Sequence, residues 1–380
     1  MAGRDGPIRR FRSILRAAPE QPANMRLTGL RGVGKTVLLA EFAEQAQDAN
    51  WAVATVELQT SHNQEQSLIS ALMPVLENTR RRLSTAGKIK KAIGDVGRAV
   101  ARVGVTYKDV KVTYDPAQAP EQTGDLAQAL LETVRAATKQ GREGFLLLLD
   151  EAQAVRDDRD ARGEHPLSML ISAASSIQKE EVPLGLVLCG LPTLTGNLLR
   201  ARSYTERMFR GEEVGRLDTP EAAAAFTEPL KPTRIRASAD LVDRVVKEVE
   251  GYPYFIQLWG AELWDAAVDA GTEELSMAIL KATTPEIYTR LDIDFYEPRL
   301  ATLTPAEQDV LLASADCSYP PLETIDLNGL IPKSPGNVNV LLGRLVEAGV
   351  LYRLRKGQYE YTAPKFREYL LRRSKKPPEA

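Results

Sequence analysis

Histidine and cysteine are almost missing from this 380-residue chain, which has only His62, His165, Cys189 and Cys317. Two cysteines make no disulfide framework and suit a reducing compartment. Two histidines far apart in the sequence leave no basis for a histidine-built metal centre. No apolar run approaches the roughly 18 residues of a membrane span. Met1–Arg16 lacks the apolar core of a signal peptide, so a cytoplasmic protein with no membrane partner is expected. Net charge is also small, at −2, and any nucleic-acid contact must rest on a local basic patch. The remainder is ordinary for a soluble protein: 43% hydrophobic and 26% charged. The length suits about two or three domains.

The chain is organised around Gly29-Leu30-Arg31-Gly32-Val33-Gly34-Lys35-Thr36. This is G-x-x-x-x-G-K-[ST], the phosphate-binding loop of ATP and GTP enzymes. Backbone N–H groups must turn inward around a polyphosphate, and glycines let them do so without side-chain clashes. Lys35 supplies charge for the β- and γ-phosphates, and Thr36 supplies a hydroxyl for Mg²⁺. A strand must precede, and Met25–Thr28 is the candidate. A helix must follow, because its N-terminus adds partial positive charge. Val37, Leu38, Phe42 and Ala46 recur at helical spacing through Thr36–Asp48. Gly29 through Val37 are therefore the candidate nucleotide-binding residues. Upstream, Gly3-Arg4-Asp5 precedes an amphipathic helix over Pro7–Arg16.

The second anchor is Phe145-Leu146-Leu147-Leu148-Leu149-Asp150-Glu151. Four leucines in a row suit a strand buried on both faces of a parallel sheet. Asp150 at its carboxyl end can hold Mg²⁺ through water, and Glu151 can polarise an attacking water. That pairing points to hydrolysis of ATP to ADP rather than binding alone. Trp51–Gln59, Leu184–Cys189 and Glu212–Leu217 read as further strands of one doubly wound, five-stranded α/β core. Ser67–Met73 reads as a helix that Pro74 should end or kink. Residues 78–125 read as an insertion: a basic helical stretch (Arg80–Arg82, Lys88–Lys91, Arg98, Arg102), an alternating hairpin over Val103–Tyr114, and a loop over Asp115–Asp125. Its lysines and arginines suit either a solvated face or a partner or nucleic-acid contact. No separate N-K-x-D stretch appears, so guanine recognition is the weaker choice.

The expected domains are 1–218 for the nucleotide-binding core, 219–300 for a helical lid and 301–380 for a winged helix-turn-helix. The lid includes a helix opened by Pro253, with Phe255, Leu258 and Trp259 on one side. In the last domain Thr304-Pro305 and Ser334-Pro335 are helix starts. Val338, Leu341, Leu342 and Leu345 form the buried face of the second helix. The segments Val350–Leu354 and Gln358–Thr362 flank a basic turn at Arg355-Lys356-Gly357. From Ser334 onward there are ten Lys/Arg against four Asp/Glu. Duplex DNA is therefore a candidate partner, with Asn337 and Asn339 at base edges and Arg344, Arg355, Lys356 and the tail Arg372–Lys376 at phosphates. The competing expectation is that this domain contacts only protein.

In order, GLRGVGKT, LLLLDEAQ, CGLPTL, SYTERMF, GYPYFIQLWG and the C-terminal pattern resemble a bacterial AAA+ ATPase of the origin-recognition/initiator type, near the STAND signalling ATPases. The resemblance implies that Arg207 is an arginine finger in a homo-oligomer, with Arg210 second. It also implies that Arg4 lies near the adenine and that Pro253 packs against it. Two departures stand out. Tyr254 takes the place where initiators carry a lid arginine, and Cys189-Gly190 takes the place of a polar sensor. Both fit a slow ATP-controlled switch better than fast turnover.

Overall fold

A computed structural model describes residues 2–18, 20–93, 104–106, 122–158, 160 and 163–374. Two compact units emerge. One holds Arg4–Gly29 and Gly34–Val214; the other holds the residues through Gly3, the loop tip Leu30–Val33, and the chain from Gly215 onward. The expected lid and C-terminal domain both fall within the second unit.

The first unit begins with α1 (Asp5–Ala17), β1 (Ala23–Thr28), α2 (Lys35–Asp48) and β2 (Ala52–Glu57). Then follow α3 (Glu65–Ile93), β3 (Gly104–Thr106), α4 (Gln122–Lys139), β4 (Phe145–Asp150) and α5 (Pro166–Gln178). It closes with β5 (Leu184–Gly190), α6 (Thr193–Ala201), α7 (Thr205–Met208) and β6 (Arg210–Glu213). The strands form one parallel sheet in the order β3-β2-β4-β5-β1-β6. Every residue of β4 and β5 is buried, as strands covered on both faces require. Ala54, Leu147 and Leu186 on one face pack with Leu68, Leu72, Leu130 and Leu170 from α3, α4 and α5. On the other side α1 lies on α2 through stacked Phe11 and Phe42 rings, 4.2 Å between centroids.

Three expectations change. Of the two outcomes expected at Pro74, the ending does not occur: α3 runs through it to Ile93. A proline inside a helix, through its lost hydrogen bond and its ring's clash with the preceding turn, costs about 3 kcal/mol. Leu68, Ile69, Leu72, Val75, Leu76 and Leu83 are all buried along the same helix, and each leucine so buried is worth about 1.5–3 kcal/mol. Burial therefore wins. The first part of the expected insertion is accordingly core: Thr79 and Leu83 are buried, and Arg80 pairs with Glu132 of α4. Second, the expected five-stranded core carries a sixth, three-residue strand at its edge. Within the expected hairpin, Gly104–Thr106 instead pairs in parallel with Val53–Thr55. α4 also starts at Gln122, inside the expected loop. Arg98, Arg102 and the rest of that segment lie outside the described residues. Third, the last strand is Arg210–Glu213 rather than Glu212–Leu217. It pairs with Met25–Thr28 and stops where β1 turns into the glycine-rich loop.

The second unit starts with α8 (Thr219–Thr227), whose Asp218 and Glu221 cap each other's backbone. It continues through β7 (Arg236–Ala237), α9 (Ala239–Val249), α10 (Pro253–Asp269), β8 (Glu274–Leu275) and α11 (Met277–Leu291). A π-helical turn, Asp292–Tyr296, joins α11 to α12 (Glu297–Ala301). On α10 Phe255, Ile256, Trp259 and Leu263 are buried, whereas Leu258 is only partly so. Next come α13 (Pro305–Ser314), capped by Thr304 and Glu307, then β9 (Leu322–Glu323), α14 (Thr324–Leu330) and α15 (Pro335–Glu347). The chain ends with β10 (Leu351–Arg355), β11 (Gln358–Tyr361) and α16 (Phe366–Ser374). The three strands form an antiparallel sheet in the order β10-β11-β9. Val338, Leu341, Leu342 and Leu345 are the buried face of α15. Tyr296 stacks on Phe366 and Tyr369 and donates to the Pro364 carbonyl at 2.6 Å, joining the π-helical turn to the end of the chain.

Candidate functional site

β1 ends at Thr28, and the Gly29 N–H donates to the Gly190 carbonyl at 3.2 Å, anchoring the loop at the end of β5. Gly34 caps α2 with φ of 88°, a left-handed conformation that suits glycine. Lys35 and Thr36 therefore open α2, where the helix adds partial positive charge. Lys35 is buried. The Thr36 hydroxyl donates to Asp150 Oδ2 at 2.7 Å, reaching the carboxyl end of β4. Asp150 also accepts the Glu151 N–H at 2.9 Å. The hydroxyl and the carboxylate are hard oxygen donors facing one point, and they fit Mg²⁺, which takes few protein ligands and keeps phosphate oxygens and waters. Among the described residues no cluster of three or more His, Cys, Asp or Glu could hold a metal by itself.

Glu151 follows the strand in a left-handed conformation, φ 51°. Its carboxylate accepts from the Gln153 amide. Gln153 Oε1 in turn accepts the Leu191 N–H at 2.9 Å. Gly190 allows this approach, since a Cβ there would sit 2.3 Å from that oxygen. Cys189, at the end of β5, is fully buried beside Asp150. Burial pushes its thiol pKa up, and the Asp150 charge adds to that. Gln153 was missed in the sequence, although it stands in LLLLDEAQ.

In the second unit the loop tip meets the start of α10. The Tyr252 hydroxyl donates to the Arg31 carbonyl, and the Tyr254 N–H donates to the Gly32 carbonyl at 3.1 Å. Gly32 has φ of 83°, and a Cβ there would lie 2.8 Å from the Tyr252 ring. Gly251 is required too, because a Cβ would lie 2.0 Å from the Leu217 carbonyl oxygen. Burial pushes the Tyr252 phenol pKa up to about 12, so it stays a donor at neutral pH. Pro253 is the first residue of α10 and half-buried. These tyrosine contacts to the loop were also missed in the sequence.

Other expected residues are placed as follows. Arg4 is buried at the start of α1. Arg207 is exposed on α7, and Arg210 is exposed at the head of β6. Asn337 is exposed. Asn339 is exposed too, but its amide donates to the Pro335 carbonyl of its own helix at 3.0 Å. Arg344 lies 3.9 Å from Glu307, and Arg355 donates to Gln358. Lys356 is exposed in the turn between β10 and β11. In the tail, Arg372 pairs with Asp292 rather than standing free, and Lys375 and Lys376 lie outside the described residues.

A parallel sheet with a glycine-rich loop after its first strand and an Asp-Glu pair after a buried neighbour defines the class: an α/β fold of the P-loop type. Residues 1–187 match the family model of the AAA ATPase domain, and residues 294–370 match a domain of unknown function, DUF8462. No curated protein matches the chain. Among solved structures it is similar to a Walker-type ATPase of Pyrococcus abyssi, at 16% identity and a TM-score of 0.60, over 98% of this chain and 96% of that one. It is also similar to the ORC2 protein of Aeropyrum pernix in ADPNP–ADP complexes, at 12% identity and a TM-score of 0.58, over 98% and 94%. At such identities the likeness is one of fold. Among the described residues no helix is long and apolar enough to cross a membrane.

Proposed function

We propose that this protein binds and slowly hydrolyses ATP, and that the nucleotide controls its binding to duplex DNA through the C-terminal domain. The observation that carries the nucleotide chemistry is the 2.7 Å contact between the Thr36 hydroxyl and Asp150, with Lys35 beside the first and Glu151 beside the second. Bound Mg²⁺ would screen the phosphate charges there. Lys35 neutralises the β- and γ-phosphates, and the loop's N–H groups hold them. A water attacks the γ-phosphorus and passes its proton to Glu151. The bond to the bridging oxygen breaks, and ADP and phosphate leave. The solved ADPNP and ADP complexes of the similar ORC2 fold support an adenine nucleotide. Exposed Arg207 suits an arginine that reaches a neighbouring subunit's γ-phosphate, with Arg210 as the second choice.

The test is ATP turnover beside equilibrium nucleotide binding. Lys35→Ala loses most binding, whereas Glu151→Gln keeps binding and stops hydrolysis. Arg207→Ala lowers turnover without weakening binding, and mixing it with Lys35→Ala protein restores activity at mixed interfaces. Normal turnover by the Glu151→Gln protein would remove Glu151 from the mechanism. An intact mixed assembly with no recovery would confine Arg207 to its own subunit.

For the C-terminal domain, the sequence α13, α14, α15 and then a hairpin follows the order of a winged helix-turn-helix, with α15 as the reading helix. Exposed Asn337 and Lys356 and the excess of Lys/Arg from Ser334 onward support duplex DNA. A second reading is a STAND-like signalling or defence switch whose C-terminal domain contacts protein. It is favoured by four large apolar side chains exposed in that domain: Ile325 (77%), Leu330 (51%), Val340 (56%) and Leu354 (47%).

A further inference from the structure

We propose that Gln153 is a positioning residue that braces the carboxylate of Glu151 against the end of β5. This inference rests on the ATP-hydrolysis reading and adds a residue to it.

Glu151 lies just past the end of β4 in a left-handed conformation. Its side chain is only partly buried, so packing alone does not fix where the carboxylate points. Gln153 does fix it, because Nε2 donates to Glu151 Oε2. Gln153 is itself held at two further points. Its Oε1 accepts the Leu191 N–H at 2.9 Å, and its backbone carbonyl accepts from Asn197 Nδ2 of α6 at 3.4 Å. The orientation of the amide is forced by chemistry. The Leu191 N–H can only donate and must meet the amide oxygen; an ionised carboxylate can only accept and must meet the NH₂. A flipped amide would lose both bonds. Gly190 is the third part of the device, since any side chain there would occupy the place of Gln153 Oε1.

The brace uses one carboxylate oxygen and leaves Glu151 Oε1 to take a proton from water. It also makes the turn after β5 part of the catalytic geometry. A shift of Leu191 or α6 moves Gln153, and with it Glu151. α6 leads directly into α7, which carries Arg207. The position of the arginine-bearing segment is thus transmitted to the base through one amide.

The experiment measures ATP turnover and nucleotide affinity of the full chain for wild type, Gln153→Ala and Gln153→Glu across pH 5.5–8.5. Gln153→Ala removes both bonds and leaves Glu151 loose. Its kcat should fall about 10–100-fold, the scale of a small misplacement of a reacting group. Its affinity for ATP should stay within about twofold, since the phosphate cradle is untouched. Gln153→Glu keeps the length and an acceptor for Leu191, but sets a carboxylate against Glu151. Its deficit should exceed that of Gln153→Ala at high pH and shrink as pH falls, because the protonated introduced carboxyl can donate where the amide did. A residue that only filled space would show no such pH-dependent ratio. Turnover by Gln153→Ala within about twofold of wild type would overturn the proposal while leaving the ATPase reading standing. Loss of nucleotide binding by both variants would overturn it as well, making Gln153 a residue of the fold. Wild-type protein without ATP turnover would instead defeat the underlying reading, and the brace with it.

Discussion

At the residue scale, the end of β5 sets a buried thiol, Cys189, beside Asp150. A thiol is a weak hydrogen-bond donor and, kept neutral, brings no charge to a γ-phosphate. This one stays neutral, since burial raises its pKa from an ordinary 9.0 and the Asp150 charge raises it further. Cys317 is buried too, and its thiol is pushed up to about 11, again by burial first. The native protein should therefore be inert to a disulfide reagent at pH 8, and both thiols should react after denaturation in urea. The pH dependence of stability follows from the same shifts. Both folded thiols hold their protons more tightly than the unfolded chain does. Their contribution is complete below the ordinary thiol value and is lost as pH rises above it. Urea midpoints should fall as pH climbs past about 9, the ordinary thiol range. Rapid labelling of native protein at pH 8 would show that β5 opens or that Cys189 is not held as described.

At the scale of elements, α3 shows what the sequence could and could not reveal. Proline within an apolar periodic run supports either a break or a buried helix that tolerates it. Local propensity favours the break. The deciding surface is α4 and the sheet, which are distant in sequence. Pro74→Ala should restore the missing helical hydrogen bond, a term of about 3 kcal/mol in an unstrained helix interior. It also frees the unfolded chain, which opposes the gain by about 0.4–1 kcal/mol. A net stabilisation of about 2–2.6 kcal/mol, read as a rise in the urea midpoint at unchanged m-value, is expected. An unchanged or lower midpoint would mean that the proline ring fills space no alanine can. The glycine-rich loop and the Asp-Glu pair were legible because their chemistry is written in contiguous residues. β3 was not, because three residues become a strand only by pairing with β2. Gln153 was passed over because its meaning depends on Leu191 beyond the next strand. The hydrogen bond from Tyr252 to the loop spans 221 residues, and no local pattern announces it.

At the scale of the whole molecule, the two proposed roles differ in what the C-terminal domain touches. Charge favours DNA, but several of the cations are already engaged. Arg372 is paired with Asp292, and Arg344 leans toward Glu307. Arg353 stacks on the Tyr359 ring and donates to its hydroxyl. Asn337 is the exposed residue near the start of α15 best placed to read a base, since Asn339 already bonds its own helix. The decisive measurement is a titration of full-length protein against random duplex at low and moderate salt, with ADP and with a non-hydrolysable ATP analogue. If the domain binds DNA, affinity falls steeply with salt, and neutralising Arg355 and Lys356 together lowers that slope by about two, one for each phosphate no longer neutralised. Asn337→Ala then alters sequence preference more than overall affinity, because phosphate contacts position and base contacts specify. The protein-contact reading requires the opposite result. No duplex is retained in any nucleotide state, and Val340→Asp, on the exposed face of α15, removes binding to a protein partner while leaving ATP turnover intact. Exposed apolar side chains on a reading helix gain little from a phosphate backbone, whereas burying each against another protein is worth about 1.5–3 kcal/mol. The salt slope therefore separates the two readings: counterion release dominates a DNA complex and contributes little to an apolar one.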